Sequence, residues 1–188
     1  VLGDVANEVL DAAGVLGPLA VTVNNTVNEL ELDDAAGVVY LGGSFGTVGG
    51  STRARLAAVN LAGAGSVGGL AVAGINGDIS ALELDGAGGL FIGGSFQVTP
   101  EKDNPAVIAK VTLATNAVST VVPYYETPRS LARTPKTGVS GALALARVGG
   151  TLFVGGDFSD YGTVARARLA AYDLATGALR SDFDPAPD

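Results

Sequence analysis

Apolar and polar positions alternate with period two in three short runs, NELEL (28–32), SALEL (80–84) and GALAL (141–145). Such alternation is the mark of a half-buried strand. Each run is followed by an aromatic string carrying a glycine pair: YLGGSF (40–45), FIGGSF (91–96) and FVGGDF (153–158). A further apolar segment comes next, and two of these segments share the hexapeptide RARLAA, at 53–58 and 166–171, with a looser VIAKV (107–111) between them. A turn then closes the unit. TLATNAV (112–118) matches DLATGAL (173–179), which sets Asn116 and Gly177 at the same place. Both residues readily take positive φ, so the match predicts a left-handed turn residue there. DAAGVL (11–16) fits the same template with Gly14 at the turn. No segment carries a helical stripe of useful length.

Self-similarity of this kind predicts a repeat architecture before any single element is assigned. Each unit reads as four short β-strands separated by Gly-rich turns, the size of a propeller blade. The expected fold is an all-β propeller of four-stranded antiparallel blades, with a sandwich or solenoid of the same units as the alternative. The chain would supply about three and a half of them: a half-blade at 1–26 and blades at 27–78, 79–138 and 139–188, forming one propeller segment. The abundance of Ala and Gly suits twisted sheets that approach closely. The pairs Gly42-Gly43, Gly93-Gly94 and Gly155-Gly156 are expected at a bulge or a close backbone approach near a strand end. Residues 5–23 read as the third and fourth strands of a blade lacking its first two. The segment 9–23 is therefore expected at an open or foreign-paired edge, with the missing strands coming from neighbouring chains or further sequence.

The pattern GG-x-F, a short loop, R-x-R-L-A-A-x-D-L-x-T-G and the closing SDFDP (181–185) resembles the delta-60 repeat propellers, whose blades are kelch-like. The third unit matches best, and the second departs at 104–110. The resemblance implies a propeller fold and a secreted, extracellular or cell-surface location in bacteria. It transfers no catalytic residue.

Composition narrows the chemistry. The 188 residues contain no Cys, His, Met or Trp, which excludes disulfides, thiolate or imidazole metal sites and His-based triads. Lys plus Arg total 11 against 19 Asp plus Glu, a net charge of −8. That sign opposes a nucleic-acid groove. A hydrophobic content of 47% argues against disorder. The longest weakly polar stretch, 61–75, is too short and Gly-rich to span a bilayer, and no signal-peptide pattern stands at the start. No membrane insertion is expected.

Few residues carry a chemical signal. Arg53, Arg55, Arg166 and Arg168 repeat in register, so they read as structural partners of Glu31, Glu83 or a neighbouring Asp between blades. Arg55 and Arg168 are expected in equivalent places, each meeting a carboxylate or a backbone carbonyl. Asp157, followed by Asp160, replaces the Ser44 and Ser95 of the other units. With Asp182 and Asp184 it forms the one oxygen-ligand set for Ca²⁺, although its spacing fits no 12-residue calcium loop and solvated loop carboxylates are the stronger reading. Apart from that Ca²⁺ option, no cofactor is expected. The same carboxylates would have to stand at defined separations to serve a glycosidase. The repeat breaks in the connector 118–138, a basic, aromatic, Pro-stiffened stretch. Insertions in repeat proteins fall preferentially on a binding face, so Tyr124, Tyr125, Arg129 and Arg133 are the expected contacts to a partner, the alternative being a surface loop that packs its tyrosines on its own blade. NNT (24–26) is a formal glycosylation sequon. The expected function is a non-catalytic extracellular or cell-surface scaffold that binds protein or glycan. A carboxylate-dependent glycan hydrolase or lyase is the alternative.

Overall fold

The computed structural model describes residues 7–10, 16–19, 21–62, 65–98, 105–123, 141–158, 160–161, 164–166 and 168–185. Among them the protein is all-β, without a helix, and every strand pairing is antiparallel. β1 (Asn7–Leu10) and β2 (Leu16–Leu19) form a hairpin. The first larger sheet joins β3 (Val27–Asp33), β4 (Val38–Gly43), β7 (Leu56–Asn60) and β8 (Ser66–Val67), with the ribbon of β5 (Thr47–Val48) and β6 (Ser51–Thr52) inserted before β7. The second sheet is a meander of β9 (Ile75–Leu84), β10 (Gly89–Val98), β11 (Pro105–Thr112) and β12 (Ala117–Pro123). The third joins β13 (Ala142–Val148), β14 (Thr151–Gly156) and β17 (Leu169–Asp173), again with an inserted ribbon, β15 (Asp160–Tyr161) and β16 (Val164–Ala165). A bridge from Leu179 to Tyr172 stands where the other sheets have a fourth strand.

The first and third sheets repeat at the level of single hydrogen bonds. Gly43 N–H donates to the Arg55 carbonyl and Gly156 N–H to that of Arg168, each at 3.0 Å or less. Arg55 N–H and Arg168 N–H in turn donate to the carbonyls of Phe45 and Phe158. The identical hexapeptides thus make identical turns. Both turns hold an arginine at positive φ, 69° for Arg55 and 66° for Arg168, a conformation that bulky residues seldom adopt. Asn116 (φ 58°) and Gly177 (φ 68°) close the third-strand turns in the left-handed region, as their shared position predicts.

The glycine pairs mark the same β-bulge in all three sheets. The pairing register slips at Asn28 in the first sheet, at Ser80 in the second and at Leu143 in the third, each time opposite the Gly-Gly pair. The backbone passes so closely there that a Cβ on Gly43 or Gly156 would run into the Thr26 or Gly141 carbonyl. The bulge corrects one alignment. GALAL matches SALEL by letter, but Leu145 lies opposite Val154 as Leu82 lies opposite Ile92. Leu145 is therefore the counterpart of Leu82, and Arg147 takes the place of Leu84.

Packing is sheet on sheet. Tyr40, Leu56 and Ala58 of the first sheet meet Ile79, Leu82, Ile92 and Val111 of the second in one core. Phe91 and Ile108 on the opposite face of the second sheet meet Leu152, Val154 and Tyr172 of the third. Each such buried aliphatic or aromatic side chain contributes about 1.5–3 kcal/mol. A further cluster behind the first sheet includes Val21, Phe45 and Val48. Val23 bridges Val48, so the end of the 9–23 segment joins the inserted ribbon of the first sheet rather than an open edge. Among the described residues, β1 and β2 pair only with each other.

The first strands of the sheets lie side by side. Asn28 Nδ2 donates to the Ile79 carbonyl at 2.8 Å, and Glu31 Oε1 accepts from Leu84 N–H at 2.9 Å. Glu83 lies against Arg147 in the corresponding place, and the Arg147 N–H and charge both lower its carboxyl. Each glutamate therefore clamps the first strand of the following sheet.

Candidate functional site

Arg55, Arg53 and Arg166 have the structural partners their repetition suggests, though not Glu31 or Glu83, which accept backbone N–H groups instead. Arg55 Nη1 donates to the Ser44 carbonyl at 2.6 Å and crosses to Asp78 of the second sheet at 3.1 Å. Arg53 reaches the Gly68 carbonyl at 3.0 Å, and the buried Arg166 pairs with Asp184 at 3.0 Å. Arg168 departs from the expectation. Its backbone matches that of Arg55, but its side chain is exposed and meets no partner among the described residues. The reason is positional: Asp78 comes from the next sheet, and no described sheet follows the third.

Tyr124, Tyr125, Arg129 and Arg133 lie outside the described residues. Asp157 is exposed, and Asp160 sits in β15 opposite Ala165. Asp182 and Asp184 are drawn into ion pairs with Arg180 and Arg166 rather than toward Asp157. Among the described residues no group of three or more carboxylates could hold a metal ion. Asn24, the sequon residue, uses its Oδ1 to accept from Gly46 N–H and Thr47 N–H, both at 2.9 Å. No helix among the described residues is long and apolar enough to cross a membrane.

A different set of residues comes together where the repeat is broken chemically. By register, Val59, Val111 and Tyr172 are counterparts, lying opposite Val39, Leu90 and Leu152. Ala58, Lys110 and Ala171 correspond likewise, opposite Tyr40, Phe91 and Phe153. Leu84 and Arg147 are the third such pair. The junction of the first and second sheets is therefore lined by Ala58, Leu84 and Val111, all apolar. The same three places at the next junction hold Lys110, Arg147 and Tyr172, and they border one cleft of about 380 Å³.

The cleft opens among three turns. One is 85–89, between β9 and β10; another is 149–150, between β13 and β14; the last is 174–177, after β17. Its cations are fixed in place. Lys110 Nζ sits 2.5 Å from Asp85 Oδ2 and 5.6 Å above the centre of the Phe91 ring, a cation–π distance. Arg147 Nε donates to the Leu84 carbonyl at 3.1 Å and Nη1 to the Gly149 carbonyl at 2.9 Å. Nη2 makes no hydrogen bond among the described residues. Tyr172 is 3% exposed, and burial pushes its phenol up from the ordinary value. Asp173 is occupied by its own turn: Oδ1 accepts from Ala175 N–H, Thr176 N–H and Thr176 Oγ1 at 2.9–3.0 Å.

Burial raises the Asp85 carboxyl, but the Lys110 hydrogen bond, the N–H groups of Ala87 and Gly89 and the Lys110 charge together hold it below its ordinary value. A folded pKa below the unfolded one adds stability above the usual carboxylate range, and that stability is lost as pH falls through the depressed value. Asp85→Asn should accordingly flatten the acid side of a melting-temperature profile between about pH 2 and pH 5. An unchanged acid side would show that Asp85 does not contribute to it.

Glu83 goes the other way. Burial, then the nearby Glu31 charge, push its carboxyl up against the opposing N–H and charge of Arg147.

No protein-family profile matches the chain, and no curated protein sequence matches it.

Proposed function

We propose that the chain supplies about three and a half blades of a β-propeller of the delta-60, kelch-like kind. It serves as a non-catalytic extracellular or cell-surface scaffold that binds protein or glycan. The observation that carries this reading is the exposure of equivalent residues along the stack. Leu56 is 1% exposed beneath the second sheet, whereas its counterpart Leu169 is 37% exposed on the far side of the third. At the other end Leu30 is 57% exposed, and its counterpart Leu82 only 4%. Apolar positions left exposed toward both ends of a stack are where further blades or neighbouring chains dock. The row of first strands, linked by Glu31 and Glu83, suits strands that surround a propeller axis.

Binding would then be concentrated where the repeat departs from itself, as at the cleft of Lys110, Arg147 and Tyr172. The second reading, a glycan hydrolase or lyase, is favoured by the raised carboxyl of Glu83 beside Glu31, since a general acid needs such a shift. It is the weaker of the two because Glu31 and Glu83 repeat in register and both clamp a neighbouring strand. Incubation with a panel of immobilised polysaccharides separates the readings. The scaffold should be retained without releasing new reducing ends or unsaturated products. Product release that vanishes in Glu83→Gln would overturn the scaffold in favour of the enzyme.

A further inference from the structure

We infer that the cleft between the second and third sheets binds a carboxylate-bearing sugar of hexuronate size, an inference that rests on the binding-scaffold reading. Three independent features point there. First, Lys110, Arg147 and Tyr172 replace Ala58, Leu84 and Val111 at the counterpart junction, where the same backbone closes on an apolar core. The fold therefore does not require these polar groups. Second, the cations are held before any ligand arrives. Two backbone carbonyls lock the plane of Arg147, which borders the cleft, and leave Nη2 without a hydrogen bond among the described residues, and Asp85 with the Phe91 ring fixes Lys110. A guanidinium edge held in this way is preorganised for a carboxylate. Third, the walls are mixed. Val121 and Leu174 supply apolar surface beside the glycine turns at 149–150 and 177, which suits a ring with one apolar face and a rim of hydroxyls. The volume of about 380 Å³ falls at the small end of ligand sites, enough for a single sugar residue.

The free donor decides which ligand group can be met. Asp173 Oδ1 is taken by three donors of its own turn, and Asp85 by Lys110 and two backbone N–H groups. Two carboxylates thus balance the two cations of the lining. Among the described residues Arg147 Nη2 keeps its donors unspent, and a ligand carboxylate is the acceptor that answers a guanidinium.

The test is a titration of the 188-residue chain with methyl glucuronoside and methyl galacturonoside, followed by amide chemical shifts. Methyl glucoside, methyl galactoside and acetate serve as controls. Saturating shifts confined to 149–150 and 174–177 are expected with at least one uronoside, bound ten-fold or more tightly than its neutral counterpart and than acetate. Arg147→Gln should weaken that binding ten-fold or more, with Lys110 and Tyr172 unchanged. Shift mapping on the unaltered protein keeps the question open to refutation if that variant fails to fold. Equal affinity for the neutral sugar or acetate, or no saturation with either uronoside, would overturn the inference. Polysaccharide retention that persists without these shifts would leave the scaffold reading standing while the cleft assignment fails. Shifts accompanied by reducing-end release would do the reverse.

Discussion

Phe96→Ala should lower stability by about 3–5 kcal/mol, the cost of emptying a fully enclosed aromatic site. Phe96 is 2% exposed and Phe45 is 0% exposed, while Phe158, the third member of the same motif, is only half-buried. Phe96 sits in the core shared by the first and second sheets, so its loss leaves a cavity between two packed layers that can close only by moving a whole sheet. Phe158 packs beside the smaller cluster of the third sheet, and its replacement should cost roughly half as much on the same scale of buried area. Denaturant midpoints of the two variants decide the matter. Equal costs at 96 and 158 would mean that the third sheet is as fully enclosed in solution as the second, contrary to its exposure.

The glycine pairs give the second large contrast. A Cβ on Gly42 would approach Ile79 Cγ2 to 2.7 Å, and one on Gly93 would approach the Ala142 Cβ to 2.9 Å, in both cases across a sheet junction. At Gly155, their counterpart, the nearest atom is the Ala144 Cβ at 3.6 Å, within its own sheet. Gly93→Val should therefore force the second and third sheets apart at a cost of about 1–3 kcal/mol or more. Gly155→Val should stay within about 0.5 kcal/mol. A Gly155→Val variant as damaged as Gly93→Val would mean that another sheet covers that face in solution. Concentration-dependent melting of the unaltered chain would then be expected as well.

Much of this architecture was legible in the residues. The strings YLGGSF, FIGGSF and FVGGDF fall on second strands, and the glycine pairs mark bulges because only glycine tolerates backbone at that distance. Asn116 and Gly177 announced their left-handed turns. The register of β13 was not legible. An alternating run fits its partner equally well after a shift of two residues, and only the bulge at Leu143 selects between the fits. The symmetry of the arginines was half legible. Identical hexapeptides dictate identical backbone at Arg55 and Arg168, but a side chain's partner belongs to the next sheet, which no local string encodes. The cleft was missed for a related reason. Lys110, Arg147 and Tyr172 each look like an ordinary strand residue, and their convergence depends on pairing register. One signal was available, since RARLAAV at 53–59 becomes RARLAAY at 166–172, which exchanges an aliphatic residue for a phenol inside an otherwise repeated string. The candidate contacts at 124–133 fall outside the described residues.

The glutamate clamps on β9 and β13 bear on how the molecule comes apart. Each described sheet is built from one continuous stretch of chain, and the cores it shares with other sheets join it only to the sheets before and after it in the chain. Cooperativity is then a nearest-neighbour property, as in a one-dimensional array. Detaching the third sheet breaks one core and the Glu83 clamp, and it leaves the first two sheets joined. Opening the second sheet breaks both cores and both clamps at once. The middle sheet is therefore the keystone of the unfolding landscape, and damage there spreads in both directions along the chain.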